Sequence, residues 1–360
     1  MSKLTKILNS PGLFFRDYFI NKYPLSFDEQ GHNVFYEDIL INNDFRLYNI
    51  YENQCSENVD VVITWVNNND ENWIQKLNFY KDHKKNNLNR FSIDNARFEN
   101  HGELYYVIKS IESYIPWVNS IFLVTDNQTP EFPLSDKVII IDHKQIINNK
   151  YLPTFNSHVI EAHLHNIPGL SENFIYFNDD VFVARNLPKT HFLSGNNLSS
   201  LFLNEKNIDQ MIQKGISTPT LFASLNCREL LFKIYNKKIN NPLSHTYVPL
   251  KKSYFELAWS LFANEIEKFL SNRFRDESDL NLATFLVPWM MYLDGKSKLS
   301  RDICYYFNVR SAKAKTHYTF LNNRLKSLPH SFCANDFSAE NVKEINYKDN
   351  LIKFLDRFYI

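Results

Sequence analysis

Val59-Asp-Val-Val-Ile-Thr-Trp-Val66 is nearly unbroken in apolar positions and rich in β-branched residues, which predicts a buried strand. Asn67-Asn-Asn-Asp70 predicts a turn and the start of a helix from about Glu71 to His83. Residues 81–90 are polar and basic and read as a loop. After Gly102 the period changes. Leu104, Val107, Ile108 and Ile111 share one face of a helix from about Glu103 to Tyr114, and Pro116 ends it. Ile121–Val124 and Val138–Ile141 predict two more strands, closed by Thr125-Asp126-Asn127 and Asp142-His143. A helix is expected from Ser157 to about Asn166. A fourth strand then runs into Asn178-Asp179-Asp180, and another apolar run, Val181-Phe-Val183, follows at once.

This alternation predicts an α/β fold with a mostly parallel, Rossmann-like sheet flanked by helices. In such sheets ligands sit beyond the carboxyl ends of the strands. The polar residues that close the strands should therefore gather along one edge. Residues 191–330 read as mainly helical, with Leu257, Leu261, Phe262, Phe269 and Leu270 on one amphipathic helix. The expected organisation is a lead-in (1–55), an α/β core (56–190), a mainly helical region (191–330), and a C-terminal motif with a final helix (331–360).

Composition narrows the function classes. Formal net charge is zero, so no global basic field argues for nucleic acid. The four cysteines (Cys55, Cys227, Cys304, Cys333) are far apart, which speaks against a disulfide framework or a structural zinc site and for a reducing compartment. No apolar run approaches the ~18 residues of a membrane span. Lys3, Lys6, Arg16 and Lys22 around Leu13-Phe14-Phe15 suit the surface of an anionic bilayer, or a helix packed on the body. With seven glycines in 360 residues, no glycine-rich phosphate loop is present. Any phosphate contact must come from Arg, Lys, His, a metal ion or a helix N-terminus.

Asp179-Asp180 is the first candidate for chemistry. Adjacent carboxylates at a strand end are neutralised by a divalent cation on phosphate oxygens, by a cap or arginine, or by a retained proton. Asp60 stands within an apolar strand, so it is paired or used, unless it marks the strand's exposed start. Glu161 and His165 are four apart and would share a helix face as an ion pair; with His158 and His163 they do not have zinc-motif spacing. Arg273 and Arg275 alternate around Phe274 and point the same way in extended chain, as a diphosphate clamp would or as two surface arginines answering Asp276, Glu277 and Asp279 would.

Taken together, these segments resemble the Stealth family of sugar-phosphate transferases. Its first region resembles Val59–Asn67. Its second resembles Arg97–Leu104, Ser110–Val118, Val124–Gln128, Tyr151–Ser157, Glu161, Ile167–Ser171 and Tyr176–Asp180. The third resembles Leu243–Leu280 with His245 and Arg273-Phe-Arg275, and the fourth Phe332-Cys-Ala-Asn-Asp336 plus the final helix. Three asparagines stand at 67–69, where the family often has an acid or glycine, and Tyr105 and Lys109 stand where it often has arginines. These departures bear on acceptor choice and donor grip.

The resemblance implies a GT-A-like fold and transfer of hexose-1-phosphate, chiefly N-acetylglucosamine-1-phosphate, from a UDP-sugar to a sugar hydroxyl. UMP is released and a phosphodiester-linked capsular polysaccharide forms. It implies Mg2+ (or Mn2+) on Asp179, Asp180 and Asp336, and catalytic roles for Asp60, Glu161, Asp180, His245 and Arg275. Substrate contacts would come from Trp65, Asn67, Arg97, Glu103, Asp126 and Asn127, and further from Gln128, Asn156, Asn178, Arg273 and Asn335. The implied partners are the donor and an oligosaccharide or polysaccharide acceptor, with no nucleic acid. The implied setting is the bacterial cytoplasm, at the inner-membrane face beside the capsule assembly machinery; Gly12-Leu-Phe-Phe-Arg-Asp17 resembles a segment of bacterial surface-polysaccharide transferases. A glycosyltransferase releasing UDP and a non-catalytic assembly subunit are the competing readings.

Overall fold

The computed structural model describes residues 57–83, 98–323, 328–336 and 346–360, with a few positions between 11 and 18. The lead-in expected to touch a membrane, and Arg97, lie outside the described residues, apart from those few positions. The strands are β1 (Val59–Thr64), β2 (Ile121–Thr125), β3 (Val138–Asp142), β4 (Asn173–Asn178), β5 (Val181–Val183), β6 (Ser199–Phe202), β7 (Val248–Lys251), β8 (Ser297–Ser300), β9 (Cys304–Asn308) and β10 (Ser331–Asn335). The helices used below are α1 (Glu71–His83), α2 (Glu103–Tyr114), α3 (Ser157–Glu161), α4 (Ile208–Gln213), α5 (Pro219–Tyr235), α6 (Lys252–Leu270), α7 (Val287–Leu293), α8 (Ala314–Asn323) and α9 (Tyr347–Tyr359).

The central sheet has the order β3-β2-β1-β4-β7. Its first four strands are parallel, and β7 runs antiparallel to β4. The expected parallel α/β core is therefore present. Period-2 alternation divides its two faces. Val61, Ile63, Leu123, Ile175 and Phe177 face a core shared with α2 and α9. Val62, Phe122, Val124, Phe174 and Tyr176 face a second core built with α6, α7 and the turns around residues 159–170. β7 is an edge strand, which is where Pro249, lacking an N–H, costs no ladder bond.

Beyond residue 190 the chain carries helices, as expected, and also β6 to β9, which short polar-apolar mixtures had concealed. In α6, Phe262, Phe269 and Leu270 are buried as the pattern predicts, but Leu261 is exposed, because the helix kinks at Phe262. Among the described residues, no helix is long and apolar enough to cross a membrane.

What matters most for function is the end of β4. After Asp180 the chain leaves the central sheet. β5 pairs antiparallel with β10, and β10 runs parallel to β9. Asp179-Asp180 is thus the junction between two sheets. Both flanking strands bury their side chains, while the junction keeps its carboxylates at a rim.

Candidate active site

Asp180 is held by β10. Its carbonyl accepts the Ala334 N–H at 3.0 Å. Its Oδ2 accepts the Asn335 side-chain amide at 2.8 Å and the Cys333 thiol at 3.3 Å. The register explains this: Val181 lies opposite Cys333, so Cys333 and Asn335, two apart, flank Asp180. His245, just before β7, brings its Nε2 to 3.9 Å from the same oxygen, with its ring edge-on to Tyr306. The other carboxylate oxygen, Oδ1, and His245 Nε2 are both buried and have no hydrogen-bond partner.

Glu103 joins this centre from the first turn of α2. Gly102 precedes it at φ 88°, a left-handed conformation that favours glycine, and α2 packs against β5. Glu103 Oε2 accepts the His101 N–H at 2.5 Å. Burial, and then the charges of Asp179 and Asp180, hold the Glu103 carboxyl well above its ordinary pKa. Burial followed by the Asp180 charge pushes Asp179 up to about 7. The carboxyls of Asp179 and Asp180 thus bear on that of Glu103. Asp180, which keeps a buried unpartnered oxygen, is the one of the three whose ligand atoms lie within 4.8 Å of other donors, those of His245 and Cys333. A carboxylate oxygen is the donor a hard divalent cation such as Mg2+ or Mn2+ takes.

A pH dependence follows. Folded-state pKa values raised above the unfolded ones mean that the native protein binds more protons between about pH 4 and pH 7. Stability should therefore fall as pH rises through that window in chelator. Asp179→Asn should flatten the slope, and saturating Mg2+ should remove it. Thermal melting across pH measures this; an unchanged slope in the variant would sink the assignment.

A second constellation adjoins the first. Thr64 and Asn178 end β1 and β4 side by side. The buried Tyr176 hydroxyl lies 2.9 Å from Asn178 Oδ1, 3.0 Å from Thr64 Oγ1 and 3.4 Å from Glu161 Oε1. Burial and then the Glu161 charge raise the Tyr176 pKa well above its usual value, so it stays a neutral hydroxyl. Arg275 donates from Nη1 to Thr220 Oγ1 at 2.8 Å and from Nη2 to Ser157 Oγ at 2.6 Å. Dehydration lowers its pKa, and Glu161 is the leading opposing charge.

Arg273 lies over the Tyr80 ring, 4.5 Å from its centroid, and donates to the Pro153 carbonyl at 2.5 Å. The guanidinium bonds therefore run to hydroxyls and a carbonyl, whereas the buried Asp279 carboxylate takes Asn156, His158 and Asn272. Asn156 knits the two loops, donating also to the carbonyls of Asn272 and Phe274. Phe274 stacks on Phe155 with ring centroids 5.3 Å apart.

Several expected residues lie elsewhere. Asp60 sits at the amino end of β1, opposite the rim that carries Thr64. Fully buried, it accepts from Asn119 Nδ2 (2.9 Å), Ser120 N (3.1 Å) and Ser171 N (2.7 Å). It lies away from the rim where the other expected catalytic acids collect, and its three donors make it an anchor for two loops. Asp60→Asn should melt earlier, by about 1–3 kcal/mol of stability, because one amide donor must face a backbone N–H. Its turnover per folded molecule should stay near wild type; a large loss of turnover with normal melting would restore the catalytic role.

Asp336 is also redirected. It pairs with Arg310 and, at 2.8 Å, with His101 Nε2, while its neighbour Asn335 reaches Asp180. The expected helix over 157–166 breaks after Glu161, with a separate turn at Leu164–Asn166. Glu161 therefore faces Tyr176, and His165 stacks on Phe255, so the expected ion pair does not form.

Asn67 and Gln128 bond each other twice, Asn67 N–H to Gln128 Oε1 and Gln128 Nε2 to the Asn67 carbonyl, both at 2.8 Å. Asp126 pairs with Lys76 at 2.5 Å, Asn127 takes φ 55°, and Trp65 is buried. These residues shape the rim where β1 and β2 end. Tyr176, Thr220 and Cys333 were not among the expected site residues; Tyr176, a hydroxyl in an apolar strand, and Cys333, within Phe332–Asp336, carried a signal, whereas Thr220 carried none.

Comparison with known proteins bears on the family of the chain. Stealth protein conserved region 1 matches residues 57–85, and conserved region 2 matches residues 97–201. The chain is 51% identical over 366 residues to capsular polysaccharide phosphotransferase LcbA of Neisseria meningitidis, covering 100% of both. It is 50% identical over 367 residues to capsular polysaccharide phosphotransferase fcs1 of Haemophilus influenzae, again covering 100% of both. Among solved structures, the galactosyltransferase LgtC, in complex with donor and acceptor sugar analogs, aligns at a TM-score of 0.42 and 10% identity over 82% of this chain and 95% of its own. A likeness at that level bears on neither donor nor acceptor here.

Proposed function

This chain belongs to the Stealth family and is an enzyme of phosphotransferase type, and on that premise we propose that it moves hexose-1-phosphate from a UDP-sugar, N-acetylglucosamine first among them, to a sugar hydroxyl of a growing capsular polysaccharide. The acceptor oxygen attacks the β-phosphorus. The bond from that phosphorus to the bridging oxygen breaks, and UMP leaves. The product is a sugar-phosphate-sugar diester.

The observation that carries the reading is the pair of buried, partnerless atoms at the rim, Asp180 Oδ1 and His245 Nε2, beside two further carboxyls. Asp179 and Asp180, with Glu103 behind them, would hold Mg2+ or Mn2+. When bound, the ion spreads the phosphate charge. His245 Nε2 is placed to take the acceptor proton, with Asp180 3.9 Å away to stabilise the resulting imidazolium. Arg275, whose partners are neutral hydroxyls, turns toward the diphosphate, and Arg273 supports it. Glu161, bridged by Tyr176 to Asn178, orients the donor sugar. The same reading puts the enzyme at the cytoplasmic face of a bacterial inner membrane.

The test is product analysis with UDP-N-acetylglucosamine, Mg2+ and short oligosaccharide acceptors. UMP and a phosphodiester signal in phosphorus NMR are expected. UDP with no phosphorus in the product would make the protein a glycosyltransferase.

A further inference from the structure

Three clusters of metal-ligating side chains occur among the described residues. In two of them the donors are committed. Asp336 is taken by Arg310 and His101. His330 Nδ1 accepts the Ile303 N–H at 2.9 Å, while Asp302 is engaged by His191, Tyr247 and Ser331. The third, Asp180–His245–Cys333, joins a thiol, an imidazole and a carboxylate: His245 Nε2 is buried and unpartnered, and Asp180 Oδ2 accepts the Cys333 thiol itself and the Asn335 amide, while its Oδ1 has no partner.

We propose that Asp180, His245 and Cys333 form a three-donor site for a thiophilic transition-metal ion of the zinc class, and that its occupation inhibits the enzyme. The ligand atoms lie within 4.8 Å of one another. The Cys333 Sγ–Asp180 Oδ2 separation is 3.3 Å, and the His245 Nε2–Asp180 Oδ2 separation is 3.9 Å. Tetrahedral zinc, with bonds of about 2.0–2.3 Å, spaces its donors roughly 3.3–3.6 Å apart. Small side-chain rotations therefore close the site. The Asn335 amide on Asp180 Oδ2 already orients the carboxylate.

Three protein ligands leave a fourth position for water. Binding replaces the Cys333 S–H bond with a metal–sulfur bond and releases the proton to solvent; no oxidation is involved. Magnesium has little affinity for sulfur, so the thiol separates the two classes of ion. A thiophilic ion here occupies His245 Nε2 and Asp180 together, which removes the proton acceptor and a magnesium ligand at once. The inhibition, but not the site, rests on the proposed function.

The test is titration of the full-length protein with Co2+, followed by absorption. A sulfur-to-cobalt charge-transfer band saturating at one ion per chain is expected. It should vanish in Cys333→Ser, and His245→Ala should weaken Co2+ binding by about tenfold or more. No such band in the wild type, or a band unchanged in Cys333→Ser, overturns the site. Should Cys333→Ser fail to fold, His245→Ala decides, since that side chain is partly exposed, and unchanged affinity overturns the site. Zn2+ added to Mg2+-supported reactions should cut the rate by about tenfold or more, reversibly by chelator. A rate unmoved by Zn2+ overturns the inhibition. If no UMP forms with Mg2+ alone, the proposed function fails, while the cobalt spectra still judge the site.

Discussion

Asp180→Asn should lower the rate of UMP release by about a thousandfold, some 4 kcal/mol of transition-state stabilisation. The substitution keeps the shape. Its remaining oxygen can still accept from Asn335 and Cys333, so the β5–β10 contact survives. What is lost is the charge that would bind a cation with Asp179 and Glu103, and that would stabilise a protonated His245 at 3.9 Å. Mg2+ affinity, followed by calorimetry, should fall in parallel. Asp179 should titrate lower in this variant, because Asp180 is the charge that helps to raise it. Turnover within tenfold of wild type, with normal Mg2+ affinity, would remove Asp180 from the chemistry.

Arg275→Ala is expected to cost about 10²–10³-fold in kcat/KM for the donor. The structural cost should be about 1–3 kcal/mol, because it releases the Ser157 and Thr220 hydroxyls, which water can satisfy, and leaves the buried Glu161 carboxylate without its leading opposing charge. Arg275→Lys should recover little. A lysine is a point charge and does not span both hydroxyls while presenting a planar fork to the diphosphate. Steady-state kinetics beside thermal melting separates the two effects. A variant that melts earlier but turns over donor within a few fold of wild type would show that the guanidinium only braces the loops.

Much of the site was legible because it follows from strand ends. β1, β2 and β4 are parallel, so Asn67, Thr125 and Asn178 to Asp180 must reach one rim. That rule placed Asp180 at the rim; Asp60, singled out instead as an acid within an apolar strand, lies at the opposite end of β1. A buried acid in an apolar strand is paired or used, and only the three donors around it decide which. Glu161 and His165 failed for a different reason. Their spacing assumed a continuous helix, and α3 ends at Glu161, where the turns that follow redirect the chain.

The amino-acid pattern by itself determined the periods, and through them the elements, the two faces of the sheet and the edge at which polar residues collect. Those are consequences of local geometry and of burying every second strand residue or one helix stripe. Tertiary structure alone decided which distant residues meet there. β5 leaves the central sheet for β10, setting Asn335 and Cys333 on Asp180, 155 and 153 residues earlier. The antiparallel edge strand β7 delivers His245, and the Asn156 amide locks the loop that carries Arg275. Hydrophobic burial is non-directional and assigns faces, whereas these contacts are directional and short, and no period along the chain encodes them.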